Sequence, residues 1–285
     1  MKPLRFHLQP CTAHRFLGAL LVCLLSLCGA APTLAAETLR VGGTGSSAPL
    51  AAQLFAAFRR HAPDAELVQT APPLGSGGAM RALAAGAIDI ALIGRPPTPA
   101  ESARVGRSFV LAATPFVLAS QGGRRAAGFS RDELAAVYEG RLRHWDEGKP
   151  IRLVLRASME SDTLTLKSLS PAMAAAVDAA AQRPGMVQGS DDLATADLLK
   201  QVPGSLGPTS LGLLRTLDMR LDVLPLDGMA PSLDNLQSGR YPWRKTITVV
   251  LPTRPAALAE RFVAFLNGPE AAAVLRRYDY LPEKQ

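Results

Sequence analysis

The chain has 285 residues, 48% of them hydrophobic and 19% charged, which excludes a disordered, fibrous or collagen-like protein and leaves room for one large domain or two ordinary ones. Its formal net charge of +7 overstates the basicity, because residues 1–36 hold Lys2, Arg5 and Arg15 and no acid, so the remaining 28 of the 31 Lys and Arg face 24 Asp and Glu. That surplus is mild and alternates in sign along the chain, so no nucleic-acid partner is expected.

Residues 1–36 have the order of a secretory signal: a basic leader from Lys2 to Arg15, an apolar run from Phe16 to Leu27, then small residues through Ala36. The apolar run is shorter than the ~20 residues of a spanning helix. Cleavage is expected after Ala35 or Ala36, giving a periplasmic protein. Cys11, Cys23 and Cys28 all lie in this segment, so the exported chain would have no thiol for a disulfide, a metal or covalent catalysis. Lipid attachment at Cys28 is not expected, because the bulky Leu27 precedes it.

From residue 38 onward, strands and helices alternate, the pattern of α/β sheets covered by helices. Leu39 begins a strand. Ser47 is placed to cap a helix with Pro49 in its first turn and Leu50, Leu54, Phe55 and Phe58 on its apolar face. Glu66 to Thr70 is the next strand. Gly75, Gly77 and Gly78 precede a helix bearing Met80, Leu83 and Ala84, and Ile88 to Ile93 reads as a buried strand. Phe109 to Ser120 is a long extended run containing Pro115 that suits a strand leaving one domain for another. Ser130 to Glu133 is a capping box opening a helix through Tyr138, Ile151 to Leu155 a strand, and Ser161 and Asp162 a helix start. Asp191 to Gln201 reads as helical, Ser205 to Leu213 as irregular or extended, Thr246 to Leu251 as a strand, and the end as helical.

Three of these helix starts share a chemistry. Gly43-Thr44-Gly45-Ser46-Ser47-Ala48 satisfies the dinucleotide pattern G-x-G-x-x-G/A, but the second strand ends in Gln69-Thr70 and lacks the acidic residue that would hold a ribose. What survives is a turn whose free N–H groups and hydroxyls (Thr44, Ser46, Ser47) can cradle an anion. Gly75-Ser76-Gly77-Gly78 repeats the design, and Ser161-Asp162-Thr163 does so less completely. Together such starts could surround a small dehydrated oxyanion with few charged side chains. Other chemistries find no support. His61 and His144 are far apart with no cysteine nearby, so neither metal nor cofactor is expected, and a G-x-S-x-G elbow is missing. Tyr138, Trp145 and Trp243 sit among apolar residues and read as core.

The order of these motifs resembles the phosphate-binding proteins of bacterial ABC uptake systems, in the type 2 periplasmic solute-binding superfamily. The likeness runs from Gly43-Thr44-Gly45-Ser46-Ser47 and Gly75-Ser76-Gly77-Gly78-Ala79-Met80-Arg81 through Ala87 to Ala91 and Gly94-Arg95-Pro96. It continues in Leu134 to Gly140 with Trp145, Pro203 to Gly207, Tyr241-Pro242 and Tyr280-Leu281-Pro282. The resemblance implies a two-lobed α/β fold with a mixed sheet in each lobe and hinge crossover strands, lobe 1 being 37–116 and 241–285 and lobe 2 being 117–240. It also implies a non-enzymatic protein that hands a small anion, phosphate or a related oxyanion, to an inner-membrane ABC permease; a monomer is expected, and a ligand-dependent sensor or interaction subunit with the same fold, or a binder of another small polar solute, are the alternatives. Position by position, Ser46 and Ser47 match the first helix-start contact, Ser76 the second, and Ser161 and Thr163 the one from the other lobe. With Thr44 as a further donor and Arg95 and Arg156 as charge partners, these are the candidate ligand-binding residues. The chain departs from the pattern in having Gly94 where the family's phosphate binders place Asp or Ser, and in having Glu160 and Asp162 in place of glycines, which would repel a dianion if they faced it.

Overall fold

The computed structural model describes residues 36–283, and the expected leader with its three cysteines lies outside the described residues. Thr38–Gly43 forms β1, alternating exposed and buried side chains before running wholly buried. It turns into α1 (Ala48–Phe58), where Pro49 sits in the first turn and Leu50, Leu54, Phe55 and Phe58 are buried. Ser47 occupies the N-cap position of α1 without capping it by its side chain. Its helical backbone (φ −87°, ψ −26°) accompanies a hydroxyl that donates instead to the carbonyls of Thr44 and Leu92. After β2 (Glu66–Gln69), Gly75 takes a positive φ of 65° to enter α2 (Gly75–Ala84). The strand expected from Ile88 begins only at Ile90, as β3 (Ile90–Ile93), since the Asp89 carboxylate accepts the Arg40 backbone N–H and pairs with its guanidinium. A short α3 (Pro99–Ser102) follows, closed by a Thr98–Glu101 capping box.

β4 (Ser108–Ser120) is the long strand expected from the uncharged run. The Ser130–Glu133 capping box opens α4 (Arg131–Tyr138), and β5 (Arg152–Arg156) leads to α5 (Ser161–Ser168) and α6 (Pro171–Ala181), the latter capped by Ser170. Then come β6 (Val187–Gly189), α7 (Asp192–Gln201), β7 (Ser205–Ser210) and α8 (Leu211–Thr216). The stretch Ser205 to Leu213, expected to be irregular or extended, is a buried strand up to Ser210, whose hydroxyl caps α8. The remaining elements are β8 (Asp222–Leu224), α9 (Leu233–Gln237), β9 (Arg244–Val250), α10 (Ala257–Leu266), α11 (Pro269–Arg277) and β10 (Leu281–Pro282). None of the described helices is long and apolar enough to cross a membrane.

The strands lie in the order β2-β1-β3-β9-β4-β7-β5-β6, with β8 and β10 also paired to β4. Parallel pairs β1–β2 and β1–β3 at one side and β5–β6 and β5–β7 at the other flank antiparallel pairings through β9 and β4. The sheet is therefore mixed on both sides. β4 changes partner in mid-strand: Ser108 to Pro115 lie opposite Val250 to Arg244 of β9, and Phe116 to Ala119 opposite Ser210 to Gly207 of β7. Two large cores form on either side of that change. One gathers Phe55, Phe58 and Phe262 beneath β1 and β9, and the other Phe116, Phe129, Tyr138, Trp145 and Tyr241 beneath β5 and β7. Each fully buried aromatic there contributes ~1.5–3 kcal/mol of burial free energy. The fold is the expected two-lobed α/β arrangement joined by crossover strands, with Tyr138 and Trp145 in the core as the sequence indicates.

Candidate functional site

In open α/β sheets, ligands bind beyond the carboxyl ends of parallel strands. Here the carboxyl ends of β1, β3, β5 and β6 lead directly to Thr44, Gly94, Arg156 and the Asp191–Asp192 helix start. The first turn is drawn tightly onto β3. A Cβ at Gly43 would stand 2.3 Å from the Leu92 carbonyl oxygen, so no side chain fits, and the Thr44 N–H donates to that same oxygen. Thr44 Oγ1 and Ser46 Oγ lie 3.1 Å apart, both buried. Ser76, in the first turn of α2, accepts the Gly94 backbone N–H at 3.2 Å, which leaves its own hydrogen to donate.

Gly94 is the meeting point. The position a Cβ would take there is 3.8 Å from Thr44 Cγ2, 3.9 Å from Ser161 Oγ and 4.0 Å from Ser76 Oγ. The starts of α1, α2 and α5, far apart in the chain, thus converge on one small region. At α5 the N-cap residue Glu160 makes no side-chain cap bond, so the helix start retains free N–H groups beside Ser161. A fourth start, that of α7, closes the region, with Gly45 so near that a Cβ on it would lie 3.1 Å from the backbone nitrogens of both Asp192 and Leu193.

Beneath these donors lies a buried set of charges. Lys245 of β9 places Nζ 2.5 Å from Asp162 Oδ1 and 2.8 Å from Asp192 Oδ1. Arg156, at the end of β5, donates to Thr195 Oγ1 at 3.2 Å and to Glu160 Oε2 at 3.0 Å, and its guanidinium is 3.8 Å from one oxygen each of Asp162 and Asp192. Burial alone would raise the Asp192 pKa, but the Lys245 and Arg156 charges, the Lys245 hydrogen bond and the Ser46 backbone N–H hold it below the ordinary carboxylate value. Burial would likewise lower Lys245, and the Asp162 and Asp192 carboxylates keep it above an ordinary lysine.

The other expected residues are placed differently. Ser47 and Thr163 are buried, each donating to the backbone (Thr163 Oγ1 to Arg156 O at 3.3 Å), so their hydroxyls hold the turns together. Arg95 is held by both oxygens of Glu101, at 2.7 and 2.8 Å. Its hydrogen bonds, offset in part by desolvation, bring the Glu101 carboxyl down to about 2, so the Arg95 charge is already compensated. Glu160 and Asp162 do not stand free to repel an anion, since one faces Arg156 and the other Lys245.

Residues 29–270 match the PBP superfamily domain. The chain belongs to the PBP superfamily. Among curated relatives, this PBP chain is 23% identical over 258 residues to the phosphate-binding protein PstS of Bacillus subtilis (strain 168), covering 87% of this chain and 81% of the relative. Its fold is similar to that of a putative phosphate ABC transporter substrate-binding protein from Clostridium perfringens, solved with bound phosphate, at a TM-score of 0.73 and 14% identity over 87% of this chain and all of that one. It is also similar to the periplasmic molybdate-binding protein of Azotobacter vinelandii, at a TM-score of 0.62 and 14% identity over 86% of this chain and all of that one.

Asp192, Lys245 and Thr195 of this PBP chain escaped the sequence reading. Asp192 follows Asp191, whose carboxylate caps the Leu193 and Ala194 N–H groups, so the pair reads simply as an acidic helix start. A signal for Lys245 did exist. Extending the period-2 pattern of β9 back by two residues puts Lys245 on the face of Ile247 and Val249, the buried side, while Arg244 is exposed.

Proposed function

We propose that this protein is an exported solute-binding protein that captures a small oxyanion, phosphate-like in shape and charge, between its lobes for delivery to an inner-membrane ABC permease. The lobes are 37–116 with 241–285, and 117–240, and residues 1–36 are the signal that exports the chain as a monomer. The observation that carries this reading is the convergence of three helix starts around Gly94, where the Ser76 and Ser161 hydroxyls and the Thr44 side chain meet. Backbone amides and helix dipoles so arranged stabilise a dehydrated anion without a pool of lysines. Thr44, Ser46, Ser76 and Ser161 supply the donors, and Arg156, itself paired with Glu160, Asp162 and Asp192, fixes the base of the site from behind. Ser47 and Thr163 act from behind by fixing the turns, and Arg95 stiffens the rim through Glu101. Binding without turnover is the activity proposed. Ligand that touches both lobes stabilises the closed form over the open one, and that difference drives closure.

A second reading follows from one observation. Asp162 and Asp192 together balance Arg156 and Lys245, so the cleft carries little net positive charge of its own. Such a balance favours a weakly charged polar solute over a dianion. Calorimetric titration of the purified protein with phosphate, sulfate, molybdate and methylphosphonate separates the two. Saturable binding of one oxyanion, weakened tenfold or more by Ser76→Ala, supports the leading reading, whereas heat from none of them leaves the polar solute.

A further inference from the structure

A second cavity, of about 700 Å³, opens at the opposite end of β5 from the cleft. Arg152 lines it at the start of that strand and Arg156 ends the strand at the cleft, so four residues of extended chain, about 13 Å, separate the two. The size falls within the roughly 300–1,000 Å³ of ordinary small-molecule sites.

Its wall is divided by chemistry. Val137, Leu153 and Met186 form an apolar floor, and Arg143, Arg152, Arg183 and His144 stand around it. Among the described residues, none of these three arginines has a carboxylate within ion-pair distance, and the cavity's single acid, Glu139, is engaged by Arg141. Arg143 donates to the Gly140 carbonyl just beyond α4, and Arg152 to the Pro203 carbonyl, so each guanidinium is oriented by a neutral oxygen with its charge left uncompensated. Arg183 Nε is buried with no hydrogen-bond partner. The guanidinium packs over Gly140, whose φ of 79° and missing side chain make the space, since a Cβ there would stand 2.6 Å from Arg183 Nη1.

Cations fixed around an apolar floor select a ligand with both characters. We propose that this cavity binds an organic anion with an apolar body, a phosphate or carboxylate group on a short hydrocarbon chain, with the head held by Arg143, Arg152 and Arg183 and the tail lying on Val137, Leu153 and Met186. The inference is independent of what the cleft binds.

Octyl phosphate is the probe, titrated into the purified protein by calorimetry with saturating inorganic phosphate present to occupy the cleft. Octyl phosphate binds at one site under these conditions, and 1-octanol, with the same tail and no charge, binds at least tenfold more weakly. The double variant Arg143→Gln/Arg152→Gln, at two exposed positions where folding is not at risk, lowers the affinity tenfold or more at unchanged Tm, and Ser76→Ala leaves it unaltered. The proposal is overturned by absence of binding, by equal binding of octanol, by indifference to the arginine substitutions, or by loss of the signal with Ser76→Ala.

Discussion

The Lys245 ammonium of β9 lies 2.8 Å from the Asp192 carboxylate at the start of α7, and Lys245 stands opposite Thr114, two residues before Phe116, where β4 takes β7 as partner in place of β9. A buried ion pair thus ties the crossover region to a helix start that faces the cleft. Removing one member of such a pair is far more damaging than replacing the whole, because the partner charge stays buried without its counter-ion.

Lys245→Met therefore destabilises the protein by about 3–5 kcal/mol. Adding Asp162→Asn and Asp192→Asn to it restores a substantial part of that loss. Urea denaturation of the single and triple variants measures both, and a Lys245→Met midpoint equal to wild type would contradict the assignment.

The same cluster shapes the pH profile. Asp192 titrates below its ordinary value in the folded protein, so its contribution to stability is complete above the ordinary aspartate pKa and is lost as pH falls through the depressed one. Lys245 titrates above its ordinary value, so its contribution is complete below the ordinary lysine pKa and disappears as pH rises through the elevated one. Thermal melts hence show a plateau near neutrality with an acid limb, and Asp192→Asn flattens that limb.

Gly94→Ala tests the convergence directly. The added methyl meets its neighbours at 3.8–4.0 Å, ordinary van der Waals contact, so Tm changes little. It nevertheless stands among Thr44, Ser76 and Ser161, and phosphate affinity falls at least tenfold in calorimetry.

Gly45→Ala strikes at closure. Its Cβ would press on the Asp192 and Leu193 nitrogens of α7 at 3.1 Å, closer than relaxed packing permits. Small-angle scattering then reports a larger radius of gyration than wild type under saturating phosphate, while urea stability drops only modestly.

Much of this architecture was legible in the residues. The Ser130–Glu133 box and the uncharged run of β4 each act locally, and local rules read them correctly, whereas Gly75, Gly77 and Gly78, expected before α2, lie within it, and Ser47, expected to cap α1, turns its hydroxyl to the Thr44 and Leu92 carbonyls. α8 was missed because its six residues carry too little periodicity to separate helix from strand, and only the Ser210 cap marks it. The charge cluster was illegible for a different reason. Asp162, Asp192 and Lys245 are brought together by tertiary folding alone, and each on its own resembles a solvated end of an element. Arg95 looked available because the Thr98–Glu101 box that captures it lies just beyond the motif being read.

Pro115 offers no amide hydrogen to the sheet, and it sits where β4 is about to pass from β9 to β7. The ladder therefore receives no N–H bond from that residue, and the Lys245 side chain is anchored opposite its neighbour Thr114. Just past this point the Tyr241 hydroxyl donates to the Phe116 carbonyl and both side chains are buried in one core, so the change of partner is embedded in dense packing and has none of the slack of a linker.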